Sequence, residues 1–98
     1  MFDSKIKSPE ADRLFEAILS LETTEECYRF FEDICTIREI RDIAQRLEVA
    51  AMLSGGETVA AIASKTGAST TTVSRVNRCL RYGTNGYKIA LERTSNKN

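Results

Sequence analysis

At 98 residues, 42% hydrophobic and 29% charged, the chain has the size and composition of one ordinary globular domain with one small core, and too little bias for general disorder. It contains no histidine, which removes the commonest general base, and no run of about 18 apolar residues of the kind that crosses a membrane. Net charge is zero, yet residues 1–56 hold 7 Lys/Arg against 12 Asp/Glu while 57–98 hold 7 against 2, a split of −5 and +5.

An acidic part joined to a basic part is the pattern of a body kept off polyanions and a module that seeks them; mutual attraction of the two parts, within or between chains, is the plainer alternative. The N-terminal MFDSKIKSPEADR has no apolar stretch before a small-residue cleavage site, which predicts a cytoplasmic protein. Cys27, Cys35 and Cys79 are odd in number, form no CxxC pair and have no histidine to join them, so neither a disulfide framework nor a zinc site is indicated. They are expected as reduced core residues.

Ser8-Pro9-Glu10 places a capping residue, a proline at the first helical position and an acid in the first turn, ahead of Leu14, Phe15, Ile18 and Leu19 at helical spacing. Thr23 with Glu26 reads as a capping box opening a second helix through Tyr28, Phe30, Phe31 and Ile34. Thr36 and Glu39 repeat that pattern before Ile37, Ile40, Ala44, Leu47 and Ala51, a third and longest helix that Gly55-Gly56 ends. No alternating strand pattern occurs, so the predicted fold is all-α.

From Thr58 to Leu80 two shorter apolar stripes follow, one on Val59, Ile62, Ala63 and Thr66, the other on Val73, Val76 and Leu80. Gly67 lies in a three- or four-residue turn between them, the layout of a helix-turn-helix. A break at Gly83 and a short last helix from about Gly86, capped by Thr84 or Asn85, complete the pattern. The predicted organisation is a single domain: a helical dimerisation body over 8–56, the helix-turn-helix over 57–82, a short helix over 83–93 and a frayed tail over 94–98.

Two local patterns mislead. LSGGE, residues 53–57, looks like the phosphate-approaching signature of certain ATPases, but no Gly-x-x-x-x-Gly-Lys-Ser/Thr loop accompanies it, and the glycine pair reads as a helix stop. Glu25-Glu26 and Glu32-Asp33 are sequence neighbours, which do not face one another on a helix, and they read as a solvated face rather than a metal site or catalytic dyad.

The stretch GASTTTVSR, residues 67–75, carries five hydroxyl side chains between Ser69 and Ser74. The apolar stripe continues through it, so it begins a helix rather than forming a linker, with Ser69 or Thr70 as cap. At 100° per residue from Val73, Thr70, Thr71, Ser74, Arg78 and Arg81 fall between about 60° and 160°, on one polar, basic, outward face. Small hydroxyls let a helix N-terminus sink between phosphate ridges, and arginine can bind guanine through two hydrogen bonds. Such a face is suited to the major groove of double-stranded DNA.

With TVAAIASKTGASTTTVSRVNRCLRYG, residues 58–83, in view, the chain resembles the Trp-repressor superfamily, and more closely the small YerC/YecD-type Trp-repressor-related proteins, over residues 10–93. IREIRDIAQRLEVAAMLSGGETVAAIASKTGAS, residues 37–69 before the recognition helix, is the looser part of the match. The resemblance implies an intertwined all-α homodimer whose N-terminal helices share a core and whose helix-turn-helix units dock in successive major grooves. It also implies a corepressor site beside the recognition helix, made by two arginines, a serine and a glycine that leaves room for an indole. Arg75 matches one arginine, but Gln45 stands at the other, Val76 at the glycine and Cys79 at the serine, which argues against tryptophan as the ligand. Thr72, Arg75 and Cys79 share a flank and, with Gln45, form the candidate pocket for some other small-molecule effector; no cofactor is expected.

The function read from the sequence is a cytoplasmic, homodimeric, sequence-specific DNA-binding transcriptional regulator, acting as a repressor and not as an enzyme. Ser69, Thr70, Thr71, Ser74, Arg75 and Arg78 are its expected DNA-facing residues, with Lys65, Arg81 and Lys88 as further phosphate contacts. The competing reading is a helical adaptor whose basic module docks on an acidic protein. Arg75 stays open between the DNA face and the ligand flank.

Overall fold

The computed structural model describes residues 2–95. It contains six helices and, among the described residues, no strand: α1 (Pro9–Leu19), α2 (Thr24–Ile34), α3 (Ile37–Ser54), α4 (Val59–Thr66), α5 (Thr70–Tyr82) and α6 (Gly86–Thr94). None of these helices is long and apolar enough to cross a membrane. The chain divides into two compact units, one ending at Ile37 and the other beginning at Arg38.

In the first unit, the Ala11 N–H donates to Ser8 Oγ (2.9 Å), with Pro9 at the first helical position and Glu10 and Asp12 in the positive first turn of α1. The Glu26 N–H likewise donates to Thr23 Oγ1 (3.1 Å) to start α2. The expected capping box closes one residue early, because Glu26 Oε1 accepts from the Glu22 N–H (2.8 Å). Phe30 and Phe31 meet edge to face, ring centroids 5.3 Å apart. Neither α1 nor α2 has a buried residue.

The second unit holds the core. Val49 and Ala50 of α3, Ile62 of α4, Ala68 of the turn, and Val73 and Val76 of α5 are buried together, and Met52, Leu53, Leu80, Tyr87 and Leu91 pack around them half-buried. α3 stops where the glycine pair was expected to stop it. The Glu57 N–H donates to the Met52 carbonyl (3.2 Å) and the Gly56 N–H to that of Leu53 (3.0 Å), while Gly56 turns with φ 85°. Gln45 Nε2 donates to the Thr66 carbonyl (3.2 Å), tying α3 to the last turn of α4.

Three local expectations need correcting. The cysteines are free but do not enter the core: Cys27 and Cys79 are exposed and Cys35, the extended residue that ends α2, is half-buried; α2 has no buried residue for Cys27 to join. Val59 is also 40% exposed, leaving Ile62 as the buried residue of α4. The last helix includes Thr94, whose hydroxyl donates to the Ala90 carbonyl (2.8 Å), so the tail expected to fray from 94 begins inside α6; residues 96–98 lie outside the described residues.

Candidate nucleic-acid interface

α4 and α5 pack against each other across a three-residue turn. Thr58 caps α4, its hydroxyl accepting from the Ala61 N–H (3.1 Å), and Gly67 ends that helix with φ 75°, a conformation a side chain resists. Ala68, nearly inaccessible, plugs the turn into the core. Ser69 caps α5: the Thr72 N–H donates to its oxygen (3.1 Å), and its own hydroxyl donates to Thr72 Oγ1 (3.0 Å). Of the two expected caps, Ser69 is therefore the one used, and its hydrogen bonds are turned toward its own helix.

Burial of Val73 and Val76 fixes the rotation of α5, and the opposite side is polar. Thr70, Thr71, Ser74, Arg75 and Arg78 line one shallow groove of about 340 Å³ on the outward face. Two hydroxyl-bearing threonines, a serine and two guanidinium groups thus share a surface on which no acidic side chain lies. The groove can accept phosphate oxygens and present both donors and acceptors to base edges. Arg81 is exposed in the last turn of α5, beyond the groove.

The two lysines lie elsewhere. Lys65 Nζ donates to Glu57 Oε1 (2.6 Å), a partner that sequence reading missed because the pair is eight residues apart across the α4 cap. Lys88 lines a separate groove of about 520 Å³ between the end of α3 and α6, with Ala51, Ser54 and Leu91 among its walls.

A deeper cavity of about 380 Å³ opens on the flank of α5. α3 supplies Asp42, Gln45 and Arg46; α5 supplies Thr72, Arg75, Val76 and Cys79; α6 supplies Tyr87. All four residues expected around an effector pocket are brought together here. Asp42, Arg46 and Tyr87 were not foreseen, although Tyr87 stands one turn before Leu91, and both pack against the core. Val76, 2% exposed, is part of that core and also part of the cavity wall. Arg75 lines both the cavity and the outer groove, which resolves its ambiguous place on the helical wheel: it borders the two surfaces.

A family model described as Trp repressor protein matches residues 9–95. The chain belongs to the Trp repressor family. YerC, an uncharacterized protein of Bacillus subtilis (strain 168), is 58% identical over 89 residues, covering 91% of this chain and 86% of that protein. Among solved structures, a TrpR-like protein from Eubacterium eligens ATCC 27750 superposes with a TM-score of 0.89 at 53% identity, over 94% of this chain and 95% of the other. A candidate Trp repressor from Staphylococcus aureus gives the same TM-score at 48% identity, over 93% and 91%. Membership makes this an all-α helix-turn-helix protein of a DNA-binding regulator family, in agreement with the fold and the resemblance read from residues 58–83.

Proposed function

We propose that the protein is a cytoplasmic transcriptional repressor that binds a specific duplex DNA sequence as a homodimer, laying α5 in the major groove. The observation that carries this reading is the groove of Thr70, Thr71, Ser74, Arg75 and Arg78 on the outward face of a helix whose inner face is locked into the core. Ser69, Arg81, Lys65 and Lys88 are its secondary candidates; Lys65 must exchange Glu57 for a phosphate to take part. Two copies are favoured because Leu19 and Tyr28 are largely exposed in the single chain on helices that bury nothing of their own. A dimer also doubles the phosphate contacts, from about three to about six, and the binding constant and its salt slope grow with that number. Its two recognition helices would read near-palindromic half-sites about one helical turn apart.

Selection from a random duplex pool tests the reading. Enrichment of a palindromic motif is the expected result, and no enrichment at any salt concentration would instead favour docking on an acidic protein. Arg78→Ala is expected to weaken binding of the selected duplex by roughly 1–3 kcal/mol if Arg78 reads a base, and to lower the salt slope by about one if it meets a phosphate. Unchanged affinity and unchanged slope together would remove Arg78 from the interface. A monomeric mass by light scattering at micromolar concentration would remove the dimer.

A further inference from the structure

A recognition helix reads bases only if its angle is held, and the restraints on α5 are unevenly placed. On one side it rests on α4, with Val73 and Val76 buried against Ile62. On the other, the flank carrying Thr72, Arg75 and Cys79 opens into the cavity of about 380 Å³. A second cavity of about 440 Å³ shares Cys79 with the first and is lined by Gly83, Gly86 and Ala90 among others. Tyr87 lines both as well, so it is the residue of α6 shared by two openings that also share Cys79 of α5.

The chain is shaped to bring it there. Gly83 closes α5 where any Cβ would collide with the Cys79 carbonyl oxygen, and Asn85 then takes a left-handed conformation with φ 69°. That turn starts α6 at Gly86 and sets Tyr87 in its first turn, packed against the core together with Leu91 one turn later. The other tyrosine of this region, Tyr82, is 82% exposed and packs on nothing comparable.

The lever arm is long. From Cys79, where the brace bears, to Thr70 is nine residues, or about 13 Å of helix, so a tilt of about 5° displaces the leading hydroxyls by about 1 Å. Hydrogen bonds to base edges tolerate little of that, whereas a phosphate contact made by a flexible arginine tolerates most of it. Arg75, bordering both the cavity and the outer groove, is moved by the same tilt.

We infer that Tyr87 is a positioning residue for DNA recognition: its ring, held by α6 against the flank of α5, sets the angle of the recognition helix. The brace is built into the chain, so specific binding needs no small-molecule ligand. This inference rests on the DNA-binding reading above.

The test uses the full chain and a duplex selected by the wild-type protein, compared with a random duplex of equal length. Wild type is expected to select its duplex with no small molecule added. Tyr87→Ala is expected to lose about tenfold on the selected duplex, the scale of one good base contact, and less than about twofold on the random one. Tyr87→Phe and Tyr82→Ala are expected to behave as wild type, and millimolar p-cresol, the missing side chain as a free molecule, to restore Tyr87→Ala. Should Tyr87→Ala fail to fold, Tyr87→Leu, which keeps an apolar contact but not the planar ring, carries the test with a loss of about threefold in the ratio. An unchanged ratio of selected to random binding in the folded variant overturns the brace, as does an equal loss on both duplexes that p-cresol does not repair. An absolute requirement of the wild type for an added ligand overturns it too. If the wild type enriches no duplex at all, the DNA reading itself falls and the inference with it, a result distinct from the others.

Discussion

The unit ending at Ile37 and the unit beginning at Arg38 solve opposite problems. The first carries 4 Lys/Arg against 9 Asp/Glu and buries none of its described residues; the second carries 10 against 5 and holds every buried residue among those described. α3 adds nothing to the charge contrast, since Arg38, Arg41 and Arg46 are matched by Glu39, Asp42 and Glu48. The basic unit can therefore present a fixed surface on the strength of its own packing. The acidic unit has amphipathic helices with well-formed caps and no interior, so its apolar side chains are fit for a partner more than for a fold of their own.

Two truncations put the largest effects on either side of that contrast. Ile62→Ala removes a side chain with no solvent exposure at the centre of the second unit and is expected to cost about 2–5 kcal/mol in urea unfolding. Leu19→Ala removes a side chain that is 85% exposed, so in a lone chain it should change stability by less than about 0.5 kcal/mol. If a second copy covers Leu19, the same change instead costs about 1–3 kcal/mol, and the melting temperature of the wild type rises with protein concentration. A negligible, concentration-independent effect of Leu19→Ala would count against the homodimer while leaving the helix-turn-helix untouched.

Gly83→Ala ranks next. The added methyl meets a backbone carbonyl, which cannot swing aside as a side chain can, so the junction of α5 and α6 must shift. A loss of about 1–3 kcal/mol is expected, confined to the second unit, with protection from amide exchange falling first in α6. If exchange in α6 and the unfolding midpoint both match wild type, the junction is softer than its geometry indicates.

How much of this was readable beforehand follows from the range of each interaction. Ser8, Thr23, Thr58 and Ser69 each accept from an N–H three residues on, and such caps are visible in a sequence because both partners lie in one short window. The rotation of α5 was legible for the same reason, since Val73 and Val76 mark the inner face by periodicity alone. Tyr87 was not, because its partners on α3 and α5 are as many as 45 residues away and depend on the turn at Gly83 and Asn85. The Glu57 partner of Lys65 was hidden by the intervening cap, and the exposure of the cysteines by the general habit of thiols to be buried. Family resemblance located the flank of α5, but Asp42, Arg46 and Tyr87, which complete its cavity, came only from the packing.

The smallest effect separates the two units most cleanly, because both use the same cap. Ser8 opens α1 and Ser69 opens α5, each accepting one backbone N–H at about 3 Å. Replacing either with alanine should cost about 1 kcal/mol, and replacing either with aspartate should cost close to nothing, because aspartate caps as well as serine and its charge suits the positive end of a helix. DNA binding distinguishes them. Ser69→Asp sets a carboxylate at the leading edge of the groove formed by Thr70, Thr71 and Ser74, where it opposes phosphate whatever the sequence, so affinity should fall on selected and random duplexes alike. Ser8→Asp, in a unit that is already acidic, should leave both affinities where they are. Equal losses from the two aspartates would mean that net charge rather than position governs binding, and the division of the chain into a body and a reading head would lose its electrostatic basis.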